Sequence, residues 1–453
     1  MKKHSKIKRI ILIAMAACLL VSVGCTQKQL PDPLKDLDPA NPVWKNITTA
    51  SDITMEDGNM FYMGIKGNED WILTRVEAFK ALGGIPTFEQ APWEQRLQTL
   101  ANKVTSKNSP DFYKADPAAG EWPALITKNL VSPIDGLIDY DSPLFAEFKP
   151  YAEQLKVGGR MYALTYGAGI SLSYVFYNRK VFEDNGLETP YDFYMRDEWT
   201  VGKMHELAKA LTVIEDGENV SFGIYTHEED AFIAATGHDL IIRDPETGKL
   251  VNNIRDPDVA RALDRVQVMC REDKCMTMDQ TQAWPMMMDN KLGMWAGGGW
   301  EADNFSNLCD EGLIEYVPFP RDENADKWYV HGVVFADYIP LGAKNPEAAL
   351  VWAAMNIEMG RDESETQKEK DRFFEQKNMS REKFGPIWDR MRTREDFELN
   401  ILMYKSFPDF RTKWYEVFWN DFYAEKIPWA TNREKLSPTL DKVLKNINKL
   451  TND

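Results

Sequence analysis

The sequence predicts an α/β protein of two lobes, each a mostly parallel sheet wrapped by helices. The chain has 453 residues, which exceeds one ordinary hydrophobic core and suits two units of roughly 150–250 residues each. Strand-like and helix-periodic stretches alternate along the chain, which is the pattern of a parallel sheet covered by helices. A new strand signal near residue 172 opens the second unit.

The first unit alternates strand and helix signals. It opens with the β-prone run MFYMGIK at 60–66, and apolar residues then recur at helical spacing from Ile72 to Phe79. GGIPTFEQ reads as a second strand, Pro92 can start the next helix, and SPDFYKAD at 109–116 predicts a third strand. Because ligands bind beyond the carboxyl ends of parallel strands, the loops after these strands are expected to face a ligand.

The second unit begins with an alternating strand from Leu172 to Phe176. A helix capped near Thr200 follows, and DPDVARALDRVQVMC is an amphipathic helix. After two more strands, Pro346 can start a further helix, and the segment 363–453 is mostly helical in pattern.

The composition excludes several classes of function. A net charge of −17 disfavours binding to nucleic acid or to anionic lipid headgroups. The 14 tryptophans exceed what two cores need, so we expect some of them to line a surface or cleft. The sequence has neither a G-x-S-x-G elbow nor an H-E-x-x-H motif, and its acids show no distinctive spacing, so no catalytic site is predicted.

The N-terminus carries a targeting signal. A basic stretch, MKKHSKIKR, runs into the apolar IILIAMAACLLVSVG and ends at Cys25. This resembles a bacterial lipoprotein signal, in which cleavage precedes the cysteine and its thiol carries diacylglycerol; Ser22 departs from the usual aliphatic residue. We therefore expect 1–24 to be removed and 25–57 to form a lipid-anchored flexible tether. A plain signal peptide with an incidental cysteine is the alternative.

Two residue groups leave alternatives open. Cys270, Cys275 and Cys309 are an odd set, so they are either buried free thiols or include one local disulfide. The stretch THEEDAF…TGHDL at 226–240 collects histidines and acids, which keeps a metal site in view. Because exposed acidic loops often form such clusters, no metal site and no cofactor are predicted.

Four stretches in one order carry a family resemblance. They are the lipoprotein signal, YALTYGAGISLSYVFYNRKVFEDNGLETP, NKLGMWAGGGWEADNF and FADYIPLGAKNPEAALVWAAMNI. Together they resemble an extracellular solute-binding protein of an ABC importer, in the carbohydrate-binding branch related to maltodextrin-binding protein. The resemblance covers nearly all of 58–360 and is less clear in the helical tail.

The resemblance implies a type II periplasmic-binding-protein-like fold, with a hinge between the lobes and the ligand in the cleft. Lobe 1 is expected from 58–166 and 328–360, and lobe 2 from 167–327 and 361–453. The chain is expected to cross between the lobes three times, near 164–171, 316–330 and 358–366.

The glycine-rich turn in LGMWAGGGWEADNF, at 292–305, is the leading candidate for ligand contact. In the family, this turn lies against the sugar and its aromatic ring stacks on the pyranose face. A Trp plane can cover the apolar face of a sugar while polar groups bind the hydroxyl rim. This implies contacts from Gly299 and Trp300, whereas Trp295, within the strand, is expected in the core.

Other candidate ligand residues lie at strand ends and at the first crossing. Asn68, Glu69 and Asp70 can equally cap the helix that follows, and Trp93 also heads an apolar helix face. Ser171 occupies a position that is acidic in some relatives. The full set of additional candidates is Asn68, Glu69, Asp70, Trp93, Asp116, Trp122, Tyr166, Ser171, Tyr225 and His331.

The implied function is a substrate-binding lipoprotein that captures a sugar or oligosaccharide and delivers it to an ABC transporter by lobe closure. The expected partners are a carbohydrate, the transporter membrane subunits and a membrane held through the lipid anchor, with no nucleic acid. A monomer on the extracellular or periplasmic face is expected. The alternatives are a binder of a peptide, polyamine or metal, a surface glycoside hydrolase, and a structural cell-surface lipoprotein without a small ligand.

We predict that Cys25→Ala leaves the protein uncleaved or releases it into the medium, because the thiol that would carry the lipid is lost. Fractionation of cells and fatty-acid labelling measure this. Equal membrane retention of the variant, together with an unlabelled parent protein, would contradict the prediction.

Overall fold

The computed structural model describes most of the chain beyond the predicted tether. The described residues are 57–66, 70–115, 121–166, 170–334, 336–393 and 397–451. The predicted leader at 1–24, the lipidation site Cys25 and the tether up to residue 56 lie outside them. Within the described ranges, no helix combines the length and apolar character that crossing a membrane requires.

The described strands form two main sheets and one hairpin. In chain order they are β1 (Asn59–Met63), β2 (Ile85–Glu89), β3 (Phe112–Ala115), β4 (Ile170–Asn178), β5 (Val213–Glu215), β6 (Glu218–Thr226), β7 (Ile241–Arg243), β8 (Leu250–Asn252), β9 (Met276–Thr277), β10 (Leu292–Gly298), β11 (Ile314–Pro318), β12 (Tyr329–Val334), β13 (Ala336–Tyr338) and β14 (Glu398–Asn400).

The described α-helices lie between and after these strands. In chain order they are α1 (Asp70–Ala81), α2 (Arg96–Thr105), α3 (Ala124–Thr127), α4 (Lys149–Gln154), α5 (Arg179–Asp184), α6 (Pro190–Met195), α7 (Val201–Ala210), α8 (Glu229–Ala235), α9 (Pro257–Arg271), α10 (Gln280–Met288), α11 (Ser306–Asp310), α12 (Pro346–Arg361), α13 (Glu363–Gln376), α14 (Arg381–Thr393), α15 (Pro408–Glu416) and α16 (Trp429–Asn448). A π-helical segment, Val417–Ala424, continues α15.

The first sheet has four strands in the order β13-β3-β1-β2. Strand β1 is parallel to β2 and β3, so Tyr62 lies opposite both Phe88 and Phe112. Strand β13 closes the sheet antiparallel to β3. The parallel arrangement predicted from the strand–helix alternation of the first unit is confirmed.

The second sheet has the main order β14-β12-β4-β10-β6-β5, with β11 paired to β4 and β9 paired to β6. Strand β4 is antiparallel to both β10 and β12. Strand β10 is parallel to β6, and β12 is parallel to β14. The carboxyl ends of β6, β10, β12 and β14 therefore meet at the edge where β4 begins.

Two helices begin where capping and proline residues in the sequence predict. The Thr200 hydroxyl accepts a hydrogen bond from the Lys203 amide at 3.1 Å and caps α7. Pro346 occupies the first turn of α12, where its missing N–H costs nothing. Sequence reasoning did not anticipate α10, which contains Pro285 in its interior.

Each sheet has its own cluster of buried aromatic rings. In the first lobe, Trp352 of α12 lies 5.4 Å from Phe79 and 5.9 Å from Tyr62, measured between ring centroids. In the second, Trp295 lies 4.0 Å from Tyr225 and 5.0 Å from Phe305. Trp295 is fully buried, as its place inside a strand predicts.

The chain passes between the two sheets at three places, the third of them after α12, which packs on the first sheet, and before β14 of the second; the predicted crossing 358–366 lies in this interval. The chain leaves the first sheet between residues 166 and 170, inside the predicted crossing 164–171. It returns between Val334 of β12 and Ala336 of β13, a few residues beyond the predicted crossing 316–330. The return comes later because β12 still pairs with β4 and β14.

The three cysteines among the described residues, Cys270, Cys275 and Cys309, form no disulfide with one another. Cys275 and Cys309 are fully buried. Burial raises the pKa of Cys275 to about 12, so its thiol stays protonated at neutral pH. Of the two alternatives that the sequence leaves open, the structure has free thiols.

We predict that Gly223→Ala lowers the free energy of unfolding by about 1–3 kcal/mol. A Cβ at Gly223 in β6 would lie 2.0 Å from the carbonyl oxygen and 2.3 Å from the Cα of Ala208 in α7. Because both are backbone atoms, strand and helix must separate. Urea denaturation measures the loss.

Gly360→Ala in α12 is the matched control, since a Cβ there meets nothing within 4 Å. It should leave stability unchanged or raise it by up to ~1 kcal/mol, because alanine favours helix. A Gly223→Ala protein as stable as its parent would contradict the close approach of α7 to β6.

Candidate functional site

Charged and aromatic side chains collect at the carboxyl ends of the second sheet. His227 and Glu228 directly follow β6. Trp300 and Glu301 follow β10, with only Gly299 between the strand and Trp300. Lys405 lies in the segment after β14. Sheets with parallel strands bind ligands at this edge. We call these five residues the strand-end site.

The glycine turn brings the Trp300 ring back onto its own backbone. A Cβ at Gly298 would lie only 1.9 Å from Cζ3 of Trp300. The six-membered ring of the indole therefore lies where a side chain at Gly298 would be, and the residue is still 50% exposed. The result is a flat, supported ring that is open to a ligand.

The glycines on either side make room for two further side chains. A Cβ at Gly297 would lie 2.9 Å from Cγ of Glu301, and one at Gly299 would lie 3.4 Å from the Tyr174 ring. The run of three glycines thus has a packing reason within the protein, since it lets Glu301 and Tyr174 close around the turn. The contact of Gly299 with a ligand stays a prediction.

His227 links the two carboxyl groups of the site. Its Nδ1 lies 3.1 Å from the hydroxyl of buried Tyr225. Its Nε2 lies 3.6 Å from Oε1 of Glu301 and 4.0 Å from Oε1 of Glu228. Tyr225, a predicted ligand contact, therefore reaches the site through the His227 ring.

Glu228 extends this network towards β4 and β12. The Ser173 hydroxyl donates to Oε2 of Glu228 at 3.2 Å and lies 3.3 Å from Nδ1 of His331. Burial lowers the pKa of His331, so its ring is neutral at pH 7. His331, another predicted contact, is buried behind Ser173.

The pKa values show how poorly solvated the carboxyl groups are. Burial raises the pKa of Glu228 to about 8, with the charge of Asp230 adding to the effect and Lys405 opposing it. Burial also raises the pKa of Glu301. At neutral pH, Glu228 is mostly protonated and can donate a hydrogen bond as well as accept one.

Lys405 holds the remaining acids of α8 together. Its Nζ lies 2.8 Å from Oε1 of Glu229 and 2.6 Å from Oδ2 of Asp230. The Trp414 indole also donates to Glu229, at 2.7 Å, and the Tyr404 hydroxyl donates to Asp230. This buried network fixes the segment after β14 against the amino end of α8.

Sequence reasoning missed Glu301 and Lys405 as site residues, and considered Glu228 only as a metal ligand. The signal that could have found Glu301 is its place after a strand end, directly beside Trp300. Lys405 carries no such signal, because its partners lie 175 residues away in the sequence.

Several predicted ligand contacts of the first lobe lie outside the described residues. Asn68, Glu69 and Asp116 are not among the described residues. Asp70 begins α1 and Trp93 begins a short 3-10 helix, but their side chains are not described. These assignments stay predictions.

Trp122 lies where the two lobes touch. The residue is 2% exposed, and its indole donates to the carbonyl oxygen of Leu155 at 3.0 Å. Its ring centroid lies 5.7 Å from that of Phe407, which precedes α15. Trp122 thus contributes to the contact between lobes in this conformation, and its contact with a ligand stays a prediction.

Tyr166 lies at the first passage between the sheets. Its hydroxyl lies 3.4 Å from that of Tyr62, which donates to Oδ1 of Asp337 at 2.9 Å. Burial raises the pKa of Asp337 to about 6. Ser171 lies in β4 opposite Val333 of β12, and its side chain is not described.

The acids and histidines of 226–240 divide between two places. Glu228 and its neighbours join the strand-end site, whereas His238 lies with Asp256 and Asp258 in a group whose ligand atoms are within 4.8 Å of one another. Asp256 also caps α9, and Asp258 pairs with Arg261 at 2.8 Å. Both carboxylates thus have partners within the protein.

Comparison with known proteins identifies the class. Residues 74–357 match the family of bacterial extracellular solute-binding proteins. This match covers more than half of the chain, so the protein belongs to that family. The family is extracellular or periplasmic in location. A search of curated proteins gave no significant match.

Solved structures share the two-lobed fold of this family. The sugar-binding protein MalE from Xanthomonas citri has a TM-score of 0.64 at 12% identity, over 87% of this chain and 99% of that one. An extracellular solute-binding protein from Staphylococcus aureus in complex with maltose has 0.61 at 12%, over 87% and 100%. A substrate-binding protein from Listeria monocytogenes in complex with cycloalternan has 0.59 at 14%, over 84% and 99%. The predicted type II solute-binding fold is confirmed.

We predict that Lys405→Met lowers the free energy of unfolding by about 3–5 kcal/mol, because it leaves the buried carboxylates of Glu229 and Asp230 without their cation. Urea denaturation followed by tryptophan fluorescence measures the loss. Lys435→Met is the control: Lys435 pairs with Asp421 at 2.8 Å but is 41% exposed, so its loss should cost less than about 1 kcal/mol. Equal effects of the two variants would contradict a buried network at Lys405.

Proposed function

We propose that this protein is a substrate-binding lipoprotein that captures a sugar or oligosaccharide between its lobes and delivers it to an ABC transporter. The observation that carries the proposal is the half-exposed Trp300 ring, which lies against Gly298 in the turn after β10. Membership of the solute-binding family supports the proposed class of ligand carrier.

The chemistry of the strand-end site suits a saccharide. An exposed indole can cover the C–H face of a sugar ring, which carries little polarity. His227 and Glu228 follow the neighbouring parallel strand β6, and their imidazole and carboxyl groups can bind hydroxyl groups. Three of the structural neighbours were solved with maltose, cycloalternan or maltotetraose bound.

The first lobe would supply the opposite wall of the cleft. We propose that the residues after its strands bind the ligand from that side, since they follow the carboxyl ends of β1, β2 and β3. The residues proposed there are Asn68, Glu69, Asp70, Trp93, Asp116 and Trp122, and Tyr166 and Ser171 are proposed at the passage between the lobes.

Lobe closure is the proposed mechanism, and no chemical step is included. A ligand that touches both walls binds the closed form more tightly and so shifts the population towards it. Beside the contact of Trp122 with Phe407, a polar contact joins the lobes in this conformation: the Arg243 guanidinium donates to the carbonyl oxygens of Gln154 at 2.9 Å and Lys156 at 3.0 Å. Such contacts can rearrange without disturbing either core.

The remaining parts of the proposal concern location and partners. We propose that Cys25 carries the lipid and that the tether 25–57 holds a monomeric body at the outer face of the membrane. There the closed form would meet the membrane subunits of the transporter. The acidic surface fits a protein that works in solution beside the membrane.

We predict that Trp300→Ala weakens sugar binding tenfold to hundredfold, ~1.4–2.8 kcal/mol, because the stacked ring is lost. A thermal-shift screen finds the sugar, and titration calorimetry then measures the affinity. Trp300→Phe should retain part of the binding, and Met195→Ala, which removes an apolar side chain that is 59% exposed outside the site, should retain all of it. Unchanged affinity of Trp300→Ala with an intact circular dichroism spectrum would remove Trp300 from the site, and consumption of the sugar would indicate an enzyme.

A further inference from the structure

The two lobes touch along one seam in addition to the passages of the chain between them. We propose that this seam is a latch that holds the lobes together before any ligand is bound and so favours the closed form. It consists of Trp122 and residues 154–158 of the first lobe, with Arg243, Phe407 and Leu450 of the second, and we call these residues the interlobe latch. The latch itself does not depend on the proposed function, whereas its effect on sugar affinity rests on that function.

Arg243 provides the polar part of the latch. Its Nη1 donates to the carbonyl oxygen of Gly248 at 2.7 Å, so its own β7–β8 hairpin holds the guanidinium in place. Its Nη2 reaches across to the carbonyl oxygens of Gln154 at 2.9 Å and Lys156 at 3.0 Å. Carbonyl groups at a helix end lack an intrahelical donor, and Gln154 ends α4. The arginine of one lobe thus caps a helix end of the other.

Gly158 allows the carboxyl-terminal turn of the second lobe to approach the first. A Cβ built on Gly158 would lie 2.4 Å from the carbonyl oxygen of Leu450. Asn448 joins this turn to the β7–β8 hairpin: its Nδ2 donates to the carbonyl oxygen of Leu250 at 2.8 Å, and its Oδ1 accepts from the Leu250 amide at 3.0 Å. The hairpin and the terminal turn therefore meet residues 154–158 as one connected unit.

An apolar contact completes the latch. The Trp122 and Phe407 rings pack edge to face, with their centroids 5.7 Å apart. The Trp122 indole also donates to the carbonyl oxygen of Leu155 at 3.0 Å. Leu155 and Val157 lie buried in the same continuous apolar cluster as Phe407. Because this apolar area is removed from water, the described conformation is favoured over one in which the lobes have separated.

The latch lies on the side of the lobes that faces the cleft. Trp122 comes after the carboxyl end of β3, and Phe407 comes after that of β14. These strand ends form the facing walls in the proposed function, so their contact must break when the walls separate. Because β14 and β10 are three positions apart in the sheet order, the latch lies away from Trp300, whose ring stays half-exposed. The latch therefore favours closure without covering that ring.

Small-angle X-ray scattering of the purified protein without sugar tests the latch directly. Arg243→Met removes the donors and should raise the radius of gyration, because the open form gains population. Arg255→Met is the matched control: its guanidinium pairs with Glu434 at 2.6 Å within the second lobe and its side chain is 57% exposed, so the radius of gyration should not change. Circular dichroism reports whether each variant retains the fold.

Gly158→Ala and Gly159→Ala form a second matched pair. Both glycines have positive φ, +60° and +72°, so alanine brings similar backbone strain at either position. Only the Cβ at position 158 meets the Leu450 carbonyl, whereas one at Gly159 meets nothing within 4 Å. Gly158→Ala should therefore raise the radius of gyration, and Gly159→Ala should leave it unchanged.

Sugar affinity provides a functional readout of the latch. Calorimetry with the sugar found by the thermal-shift screen should show that Arg243→Met and Gly158→Ala bind about threefold to tenfold more weakly, since binding must then also close the lobes. The two control variants, Arg255→Met and Gly159→Ala, should bind as tightly as the parent protein.

The outcomes separate the latch from the proposed function. If no sugar binds but both latch variants have a larger radius of gyration, the latch stands and the proposed function is overturned. If the radius of gyration of Arg243→Met is unchanged or smaller, the latch is overturned whatever the protein binds. Tighter sugar binding by the latch variants would mean that the seam holds the open form, and would overturn its assignment to closure. An effect of Arg243→Met without one of Gly158→Ala would remove Leu450 from the latch.

Discussion

Strand β4 is the constraint on which the second lobe and its site depend. Its first residues pair with β12, its later residues pair with β11, and its other edge pairs with β10 along 173–177. Because β4 is antiparallel to these neighbours, it begins where β10 and β12 end. Ser173 and Tyr174 are thereby placed beside the glycine turn, and a slip of one residue would turn each to the opposite face of the sheet.

The site combines groups that cost stability with groups that restore it. Glu228 and Glu301 are poorly solvated, which their raised pKa values reflect, while Glu229 and Asp230 are compensated by Lys405. Buried ionic groups contribute less to stability than well-packed apolar residues would. Departures of this kind from the best-packed arrangement are expected where a protein binds a ligand. Here they lie together, at one edge of one sheet.

A feature of the fold or site could be predicted from the sequence when it depends on neighbouring residues, and could not when it depends on residues far apart in the chain. The cap at Thr200 and the helix start at Pro346 depend on a few neighbouring residues, so the sequence was sufficient to predict them. Trp300 stays a predicted ligand contact, and it was singled out because three glycines beside an aromatic residue are unusual within a strand. The burial of Glu301 depends on the space at Gly297, and Lys405 depends on partners 175 residues away, so only the fold could bring them together.

In the proposed function, the geometry of the first two passages between the sheets limits how the lobes can move. One passage leads into β4 and the other leaves β12, and these strands are joined by the contact of 3.3 Å between Ser173 and His331. On the other side, Tyr62, Tyr166 and Asp337 join the ends of both passages to the first sheet. Bending between these two polar networks would leave each of them intact. Closure would then bring together two walls of the cleft that are already formed. The free energy of ligand binding would therefore be used to shift the population from the open to the closed form.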